Sequence, residues 1–337
     1  MRNEWPLVSI VFLAFNRRDA LATSLDHVLH RLDYPADRLE VIVVDNASTD
    51  GTAEMVRSRF DTVKLIRTPE NVGASAWNVG MATARGEWRL ILDDDCYITG
   101  DALRTAVTRA EEHEADLVSF RVMSGVVPGY CFNDEYPTGL LSFWGCSAMF
   151  SRRAIETEPF YDPRMFIWAN EMELTMRLLD RGFRHLFLPE VESVHMKGPN
   201  DRFAPHMVPV NYRHWSYIAG KHLRPRDAVG AFGNLVLHVF FQAWSEDRRA
   251  IRSLREVPRG FARGLASRAP VRREVSRLYR LENRHFLSPL PFLRSPIERL
   301  RSRGDRVRVE TVRGDRIARW YAQRPHLYPT TTAVLEL

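Results

Sequence analysis

Three consecutive aspartates, Asp93, Asp94 and Asp95, close the apolar run at residues 88–92. Carboxylates crowded at a strand end repel one another unless a cation lies among them. Hard oxygen ligands favour Mg²⁺ or Mn²⁺, and a diphosphate can add further oxygens to the same ion. An Asp-rich turn is also common on surfaces, so the position behind a strand, rather than the triplet itself, carries the metal expectation. Asp45 closes an earlier apolar run at residues 39–44 and is followed by Asn46-Ala47-Ser48-Thr49-Asp50-Gly51. Its carboxylate can accept a hydrogen bond from a base N–H or a sugar hydroxyl. The same segment reads as a helix-capping turn, with Ser48 or Thr49 as the cap. Glu171 and Glu173 fall near the start of a helical pattern. Residues two apart on a helix do not share a face, so they should do different jobs, or one is simply solvated. One can serve as general base on a hydroxyl, although acidic residues also favour a helix N-terminus for dipole reasons alone. His195 ends an apolar strand. A lone histidine is usually structural, but beside Asp95 it would complete a metal site.

These groups need a scaffold that brings them together. Residues 7–14, 39–44, 63–66 and 88–92 read as strands, and helical patterns lie between them. That alternation predicts an α/β fold with a parallel, doubly wound sheet, whose ligands bind beyond the carboxyl ends of the strands. Asn16, Asp45 and the aspartate triplet all stand at such ends. Further along, a helix is predicted over 101–113, a strand over 116–122 and a Gly/Pro-containing lid over 124–139. A strand over 142–151, a helix over 171–181 and two short strands over 184–188 and 191–195 follow. From about residue 205, long Arg-rich helical patterns dominate. The expected division is a catalytic domain at 1–204, a helical region at 205–300 and a charged, partly disordered tail at 301–337.

The 337 residues are 45 % hydrophobic, enough for a sizeable core in one large domain or two smaller ones. The net charge is +6, almost all of it from arginine, since the lysines are only Lys64, Lys197 and Lys221. A basic balance suits anionic partners such as diphosphates or anionic lipid, although arginine usage also follows genome composition. In the C-terminal region arginines alternate with acids, which reads as a solvated helical surface and argues against nucleic-acid binding. Cys96, Cys131 and Cys146 form no C-x-x-C pair, as expected of a reduced, cytoplasmic protein. Residues 1–6 run straight into a strand, leaving no room for a signal peptide. The apolar stretch 228–244 is interrupted by Asn234, His238 and Gln242 and is short for a membrane span. It reads as a buried or interfacial helix, with peripheral contact at the inner membrane face as the alternative.

Together these motifs resemble glycosyltransferase family 2, especially its bacterial rhamnosyltransferase-like members, over residues 6–198. Five blocks occur in the family's order. They are Val8-Ser9-Ile10-Val11 with Phe15-Asn16-Arg17; residues 43–52 around Asp45; Asn71-Val72-Gly73 with Asn78-Val79-Gly80; Leu92-Asp93-Asp94-Asp95; and Asn170-Glu171-Met172-Glu173-Leu174 with Arg177 and Gly182, closed by His195-Met196-Lys197-Gly198. The resemblance implies a GT-A-type, Rossmann-like, mostly parallel sheet flanked by helices. It implies that Ala14, Phe15, Asn16, Arg17, Asp45, Asn71, Gly73, Asn78, Asp93 and Asp94 line the donor nucleotide, with Asp45 on a pyrimidine base and Asp93 towards the ribose or sugar. Asp95 and His195 would hold Mn²⁺ or Mg²⁺, and Glu171 would be the base. Where the family usually carries a first acid, this chain has Asn170, which cannot titrate. Arg177, Lys197, Trp144 and Trp168 are candidates for diphosphate or acceptor contacts, although buried core is the commoner fate of tryptophan.

The implied reaction is a metal-assisted, inverting transfer of one sugar from a UDP- or dTDP-sugar to a small-molecule, saccharide or lipid-linked acceptor, by a monomer or a homo-oligomer. Processive relatives carry Q-x-x-R-W with membrane spans; residues 316–320, R-I-A-R-W, begin with Arg and have no spans around them. A sugar nucleotidyltransferase would show a Gly-rich basic loop where Ala14-Phe15-Asn16-Arg17 stands. No G-x-G-x-x-G follows the first strand, which argues against a dehydrogenase. A non-catalytic sugar-nucleotide-binding protein is favoured only by Asn170.

Overall fold

In the computed structural model, residues 4–135, 141–156, 159–198, 207–245, 248–282, 309–313 and 332–336 are described. The first half alternates as expected: β1 (Val8–Ala14), α1 (Arg18–His30), β2 (Leu39–Asp45), α2 (Thr52–Arg59), β3 (Lys64–Arg67), α3 (Trp77–Thr83) and β4 (Trp88–Asp93). These four strands are parallel in the order β3-β2-β1-β4. Both faces are covered at β1, β2 and β4, which is why these strands read as near-continuous apolar runs, whereas the edge strand β3 has no fully buried residue. Val8, Ile10 and Phe12 join one core with Leu21 and Leu25 of α1 and Val56 of α2. Val11 joins Trp77 and Met81 of α3 on the opposite face.

After β4 the chain continues through β5 (Cys96–Tyr97), α4 (Ala102–Glu112), β6 (Leu117–Ser124), α5 (Phe132–Glu135), β7 (Ser147–Ser151), α6 (Arg152–Ile155), α7 (Asn170–Asp180) and β8 (His185–His195). Strand β7 runs antiparallel to both β4 and β6, so the sheet is mixed beyond β4. It is also shorter than the strand expected from residue 142. The two short strands expected at 184–195 are one strand. It passes Pro189 through a register shift, with Phe120 opposite Leu188 and Arg121 opposite Glu192, because an irregularity spares proline a ladder donor. The first part of the expected lid is a turn closed on β6, where Ser124 donates its N–H to the Tyr130 carbonyl. Residues 136–139 of that lid, the boundary near 205 and the R-I-A-R-W segment lie outside the described residues.

The helices α8 (Val208–His222), α9 (Pro225–Ser245), α10 (Glu256–Ala266) and α11 (Arg273–Glu282) form the C-terminal region, with a 3-10 segment at Arg248–Arg255. They share a core with α7: Met172, Met176 and Leu179 pack with Tyr217, Ile218, Leu235, Val257 and Leu278. Strands β9 (Val309–Arg313) and β10 (Thr332–Glu336) pair in parallel, and β10 adds antiparallel to β8. Among the described residues no helix is long and apolar enough to cross a membrane. All three cysteines are buried, and none is in a disulfide.

Candidate active site

Parallel register puts the strand ends side by side. Ala14 is level with Asp45, and Leu13 with Asp93. The loops behind them are laced together. Asn16 sits in the left-handed region at φ 53° and donates its N–H to Ser48 Oγ (3.0 Å), while its Oδ1 accepts the Thr49 N–H (2.8 Å). Ser48 and Thr49 are therefore tied to the β1 loop instead of capping α2. Gly51 holds the N-cap position at φ 86°, and Asp50 Oδ1 accepts the Thr52 N–H at 3.1 Å. Helix α1 begins at Arg18, after the left-handed Asn16.

Asp45 is fully buried, accepts the Ser48 N–H on Oδ1 (2.9 Å), and turns Oδ2 towards Arg67 Nε at 3.3 Å. Arg67 also donates to the Ser48 carbonyl (2.7 Å). Arg67 closes β3, so the strand-end argument that found Asp45 and Asp93 would have found it too. Asn71 Oδ1 accepts from Asn46 Nδ2 and from the Gly73 N–H, both at 2.9 Å. Gly73 has φ 64°, and a Cβ there would collide with the Phe166 carbonyl, so this loop abuts the segment ahead of α7. Asn78 has the same part to play: its side chain donates to the Tyr161 carbonyl (2.9 Å) and accepts the Tyr161 N–H (2.7 Å). Asn71, Gly73 and Asn78 thus make contacts within the protein that shape the crevice.

The aspartate triplet divides its work. Asp94 faces inward, accepting the Phe15 N–H (3.1 Å) and Arg17 Nη1 (3.2 Å). Burial pushes its carboxyl up to about 6, against the pull of Arg17. Asp93 and Asp95 point to the cluster. One ligand atom each from Asp93, Asp95 and His195 lies within 4.8 Å of the others. His195 reaches this point because β5 follows the triplet directly and pairs Cys96 with His195. The His195 Nε2 to Asp95 Oδ1 distance is 3.0 Å, and Lys197 Nζ and Arg17 Nη1 lie 3.0 and 2.5 Å from Asp95 Oδ2.

Burial, with Cys146 and Asp95 adding to it, pushes the Asp93 carboxyl up to about 8. Burial would raise Asp95 as well, but His195, Lys197 and Arg17 hold it well below the usual range. Burial would lower His195; Cys146 and Asp95 outweigh that and take it up to about 9. Such opposed shifts mark a site poised for a strong positive charge. Two carboxylates and an imidazole are a donor set that fits Mn²⁺.

Glu171 and Glu173 have separate surroundings, as their spacing implies. Glu173 is fully buried among Arg177, Lys221 and His222. Arg177 donates to Glu173 Oε2 (2.9 Å) and to the Phe160 carbonyl (2.7 Å). Glu171 is half-buried and lies against Gly145, where a Cβ would collide with its Oε1. Gly145 is next to Cys146, whose carbonyl accepts the Asp93 N–H (3.1 Å), so Glu171 stands beside the cluster. Tyr161, buried, with Glu171 and Asp93 as the leading charges raising its phenol, is a neighbour that sequence reasoning missed. Trp168 and Ala169, just ahead of α7, have φ of 68° and 61°. Non-glycine residues persist there only when held. With its amide oriented by its surroundings, Asn170 donates to the Met165 carbonyl (3.0 Å) and accepts the Trp168 N–H (3.3 Å), which ties it to this bend. Trp168 is half-buried at this bend, whereas Trp144 packs against the core beside Phe132.

Residues 9–157 match the family model described as Glycosyl transferase family 2. The poly(ribitol-phosphate) beta-N-acetylglucosaminyltransferase TarS of Staphylococcus aureus (strain Mu50 / ATCC 700699) is 30 % identical over 137 residues, 38 % of this chain and 24 % of the relative. The chain thus spans about a quarter of that relative's length. Among solved structures, the mannosyltransferase PcManGT from Pyrobaculum calidifontis, in complex with GDP-Man and Mn²⁺, superposes with a TM-score of 0.51 at 21 % identity, covering 79 % of this chain and 74 % of that one. S. aureus TarS 1-349 in complex with UDP-GlcNAc gives 0.53 at 17 % identity, covering 81 % and 91 %. Both likenesses are of fold, and the fold is GT-A. Sequence match, fold and clustered strand-end carboxylates agree: over residues 9–157 the chain is similar to glycosyltransferase family 2.

Proposed function

We propose that the chain transfers one sugar, with inversion, from a nucleoside-diphosphate sugar, UDP- or dTDP-linked, to an acceptor hydroxyl, with Glu171 as general base. The observation that carries this reading is Glu171 standing against Gly145, beside the Asp93–Asp95–His195 cluster. Asp45 Oδ2, buried and accepting no hydrogen bond, is suited to a base N–H. Arg17 and Lys197, now paired with Asp95, are suited to the diphosphate. Asp93, Asp95 and His195 would hold Mn²⁺ or Mg²⁺. Bound there, the ion would supply positive charge against the departing diphosphate. The Glu171 carboxylate takes the acceptor proton as the hydroxyl oxygen bonds to the anomeric carbon and the bond to the diphosphate breaks. Asn170 supports an enzyme over a non-catalytic binder, because its amide is needed for the bend that presents Glu171.

Two measurements test this. In a thermal-shift series, UDP and dTDP, free or sugar-linked, should raise the melting temperature only with Mn²⁺ or Mg²⁺, and GDP should raise it less. At a ligand concentration 100-fold above Kd the stabilisation should be about 2.7 kcal/mol. Asp95→Asn should abolish the metal dependence; equal shifts for wild type and variant would refute the site. Second, Gly145→Ala should displace Glu171 at little cost in stability, because the clash is with the end of a flexible side chain. Misplacing a reacting group by about 1 Å can cost about 10²-fold in rate. Turnover should fall by that order at unchanged donor affinity, and full turnover would remove Glu171 from its position in the mechanism.

A further inference from the structure

Helix α9 has two unlike faces. Ala228, Ala231, Leu235 and Val239 are buried in the core shared with α7. The opposite stripe carries Val229 (68 % exposed), Leu237 (67 %), Phe240 (51 %) and Trp244 (93 %). These fall at helical spacing along about 22 Å of helix at 1.5 Å per residue. No charged residue occurs between Val229 and Trp244. A row of large apolar side chains held out in water marks a surface that something else covers.

Charge decides between the occupants. Arg226, exposed, begins the stripe, and the Arg248–Arg255 segment that follows α9 packs against it and exposes Arg252 and Arg255. Among the described residues the nearby acids are engaged elsewhere: Asp227 accepts from Ser276 Oγ (2.7 Å), and Glu256 pairs with Arg213 and Arg259, while Glu246 and Asp247 after α9 are outnumbered by Arg248, Arg249, Arg252 and Arg255. Two copies joined α9 to α9 would set arginine against arginine, whether Arg226 met its own kind in a parallel pairing or the Arg252–Arg255 end in an antiparallel one. An anionic surface meets the same arginines favourably, while its apolar layer takes up the aromatic rings. We infer that the exposed stripe of α9, flanked by Arg226, Arg252 and Arg255, docks the protein on an anionic lipid bilayer. Because α9 keeps its other face in the core and is too polar to cross, the helix lies in the interface. This surface is independent of the transfer reaction, and the test does not use activity.

The experiment is flotation of the full chain with vesicles of phosphatidylcholine containing 30 mol % phosphatidylglycerol, and with pure phosphatidylcholine. The chain should float with the first and not the second. Phe240→Ser/Trp244→Ser should reduce the bound fraction at least fivefold, and Arg252→Glu/Arg255→Glu should do so more strongly at low salt than at high. Melting temperatures of both variants should match wild type, since the replaced side chains are exposed; if the serine pair alters melting, Leu237→Gln alone provides the same comparison. Failure to bind anionic vesicles, or binding that ignores these substitutions, overturns the proposal. So does a solution mass that drops from dimer to monomer in the serine pair, which would make a second copy the occupant.

Discussion

Glu171→Gln is expected to lower transfer by about 10²- to 10⁴-fold, the usual worth of general-base assistance, while nucleotide-sugar affinity stays within a factor of a few. The substitution keeps the side chain's shape, and therefore its packing on Gly145, and removes only the ability to accept a proton. Arg17, Asp45, Lys197 and the Asp93–Asp95–His195 cluster lie on other elements and are unchanged, so donor binding has no reason to weaken. The measurement is kcat for transfer beside the donor Kd by calorimetry, both with Mn²⁺. Loss of donor affinity equal to the loss of rate would make Glu171 a binding residue; unchanged kcat would leave it without a chemical role. Gly145→Ala complements this: it keeps the carboxylate and moves it. If both variants lose turnover and keep affinity, chemistry and placement of the same carboxylate have each been tested.

What the sequence made legible follows from the geometry of parallel strands. Apolar runs end where the chain leaves the sheet, so polar residues at those ends, Asp45 and Asp93 to Asp95, meet whatever the intervening helices do. His195 was legible for a different reason: it also closed an apolar strand, and its partner across β5 puts it beside Asp95. The helix expected over 171–181, observed at Asn170–Asp180, and the division between Glu171 and Glu173 came from periodicity, which is reliable in a regular element. The losses are equally local. The antiparallel β7 has no separate signature, because a strand's direction is set by its partners and not by its own pattern. Two short strands were expected where a register irregularity around Pro189 lets one continue. Asn78 and Asn71 matched a motif, yet their bonds are to Tyr161 and Asn46, contacts that depend on tertiary approach. Arg67 was passed over although it ends a strand, because a lone arginine in an Arg-rich chain carries little contrast.

Glu173→Ala is expected to be the most destabilising single change near the site. Its carboxylate is fully buried and meets three cationic or potentially cationic groups: Arg177 Nε at 2.9 Å, Lys221 Nζ at 2.8 Å and His222 Nε2 at 2.8 Å. Burial would raise its pKa, but Arg177, His222 and Lys221 outweigh that and hold it well below its ordinary value of 4.5. Lys221 is held above its own ordinary value by Glu173 and Asp162 despite burial, which leaves it charged in the folded protein. Removing the glutamate strands those charges, and breaking a buried pair in this way typically costs about 3–5 kcal/mol. The sign of the pH dependence follows from the depressed pKa. The stabilisation is present above the unfolded value of 4.5 and is lost as pH falls towards the folded value, because the unfolded chain then binds a proton that the folded one refuses. Denaturant unfolding should therefore show a wild-type stability that declines below pH 4.5 more steeply than that of Glu173→Ala, with the two converging in acid. A parallel decline would refute the assignment. The consequence reaches catalysis, because Glu173 ties α7 to α8 through Lys221, and α7 carries Glu171 one half-turn away. The C-terminal helices thus share a charge network with the helix that carries Glu171, the proposed base, and a Glu173→Gln variant that still folds should lose turnover before it loses donor binding.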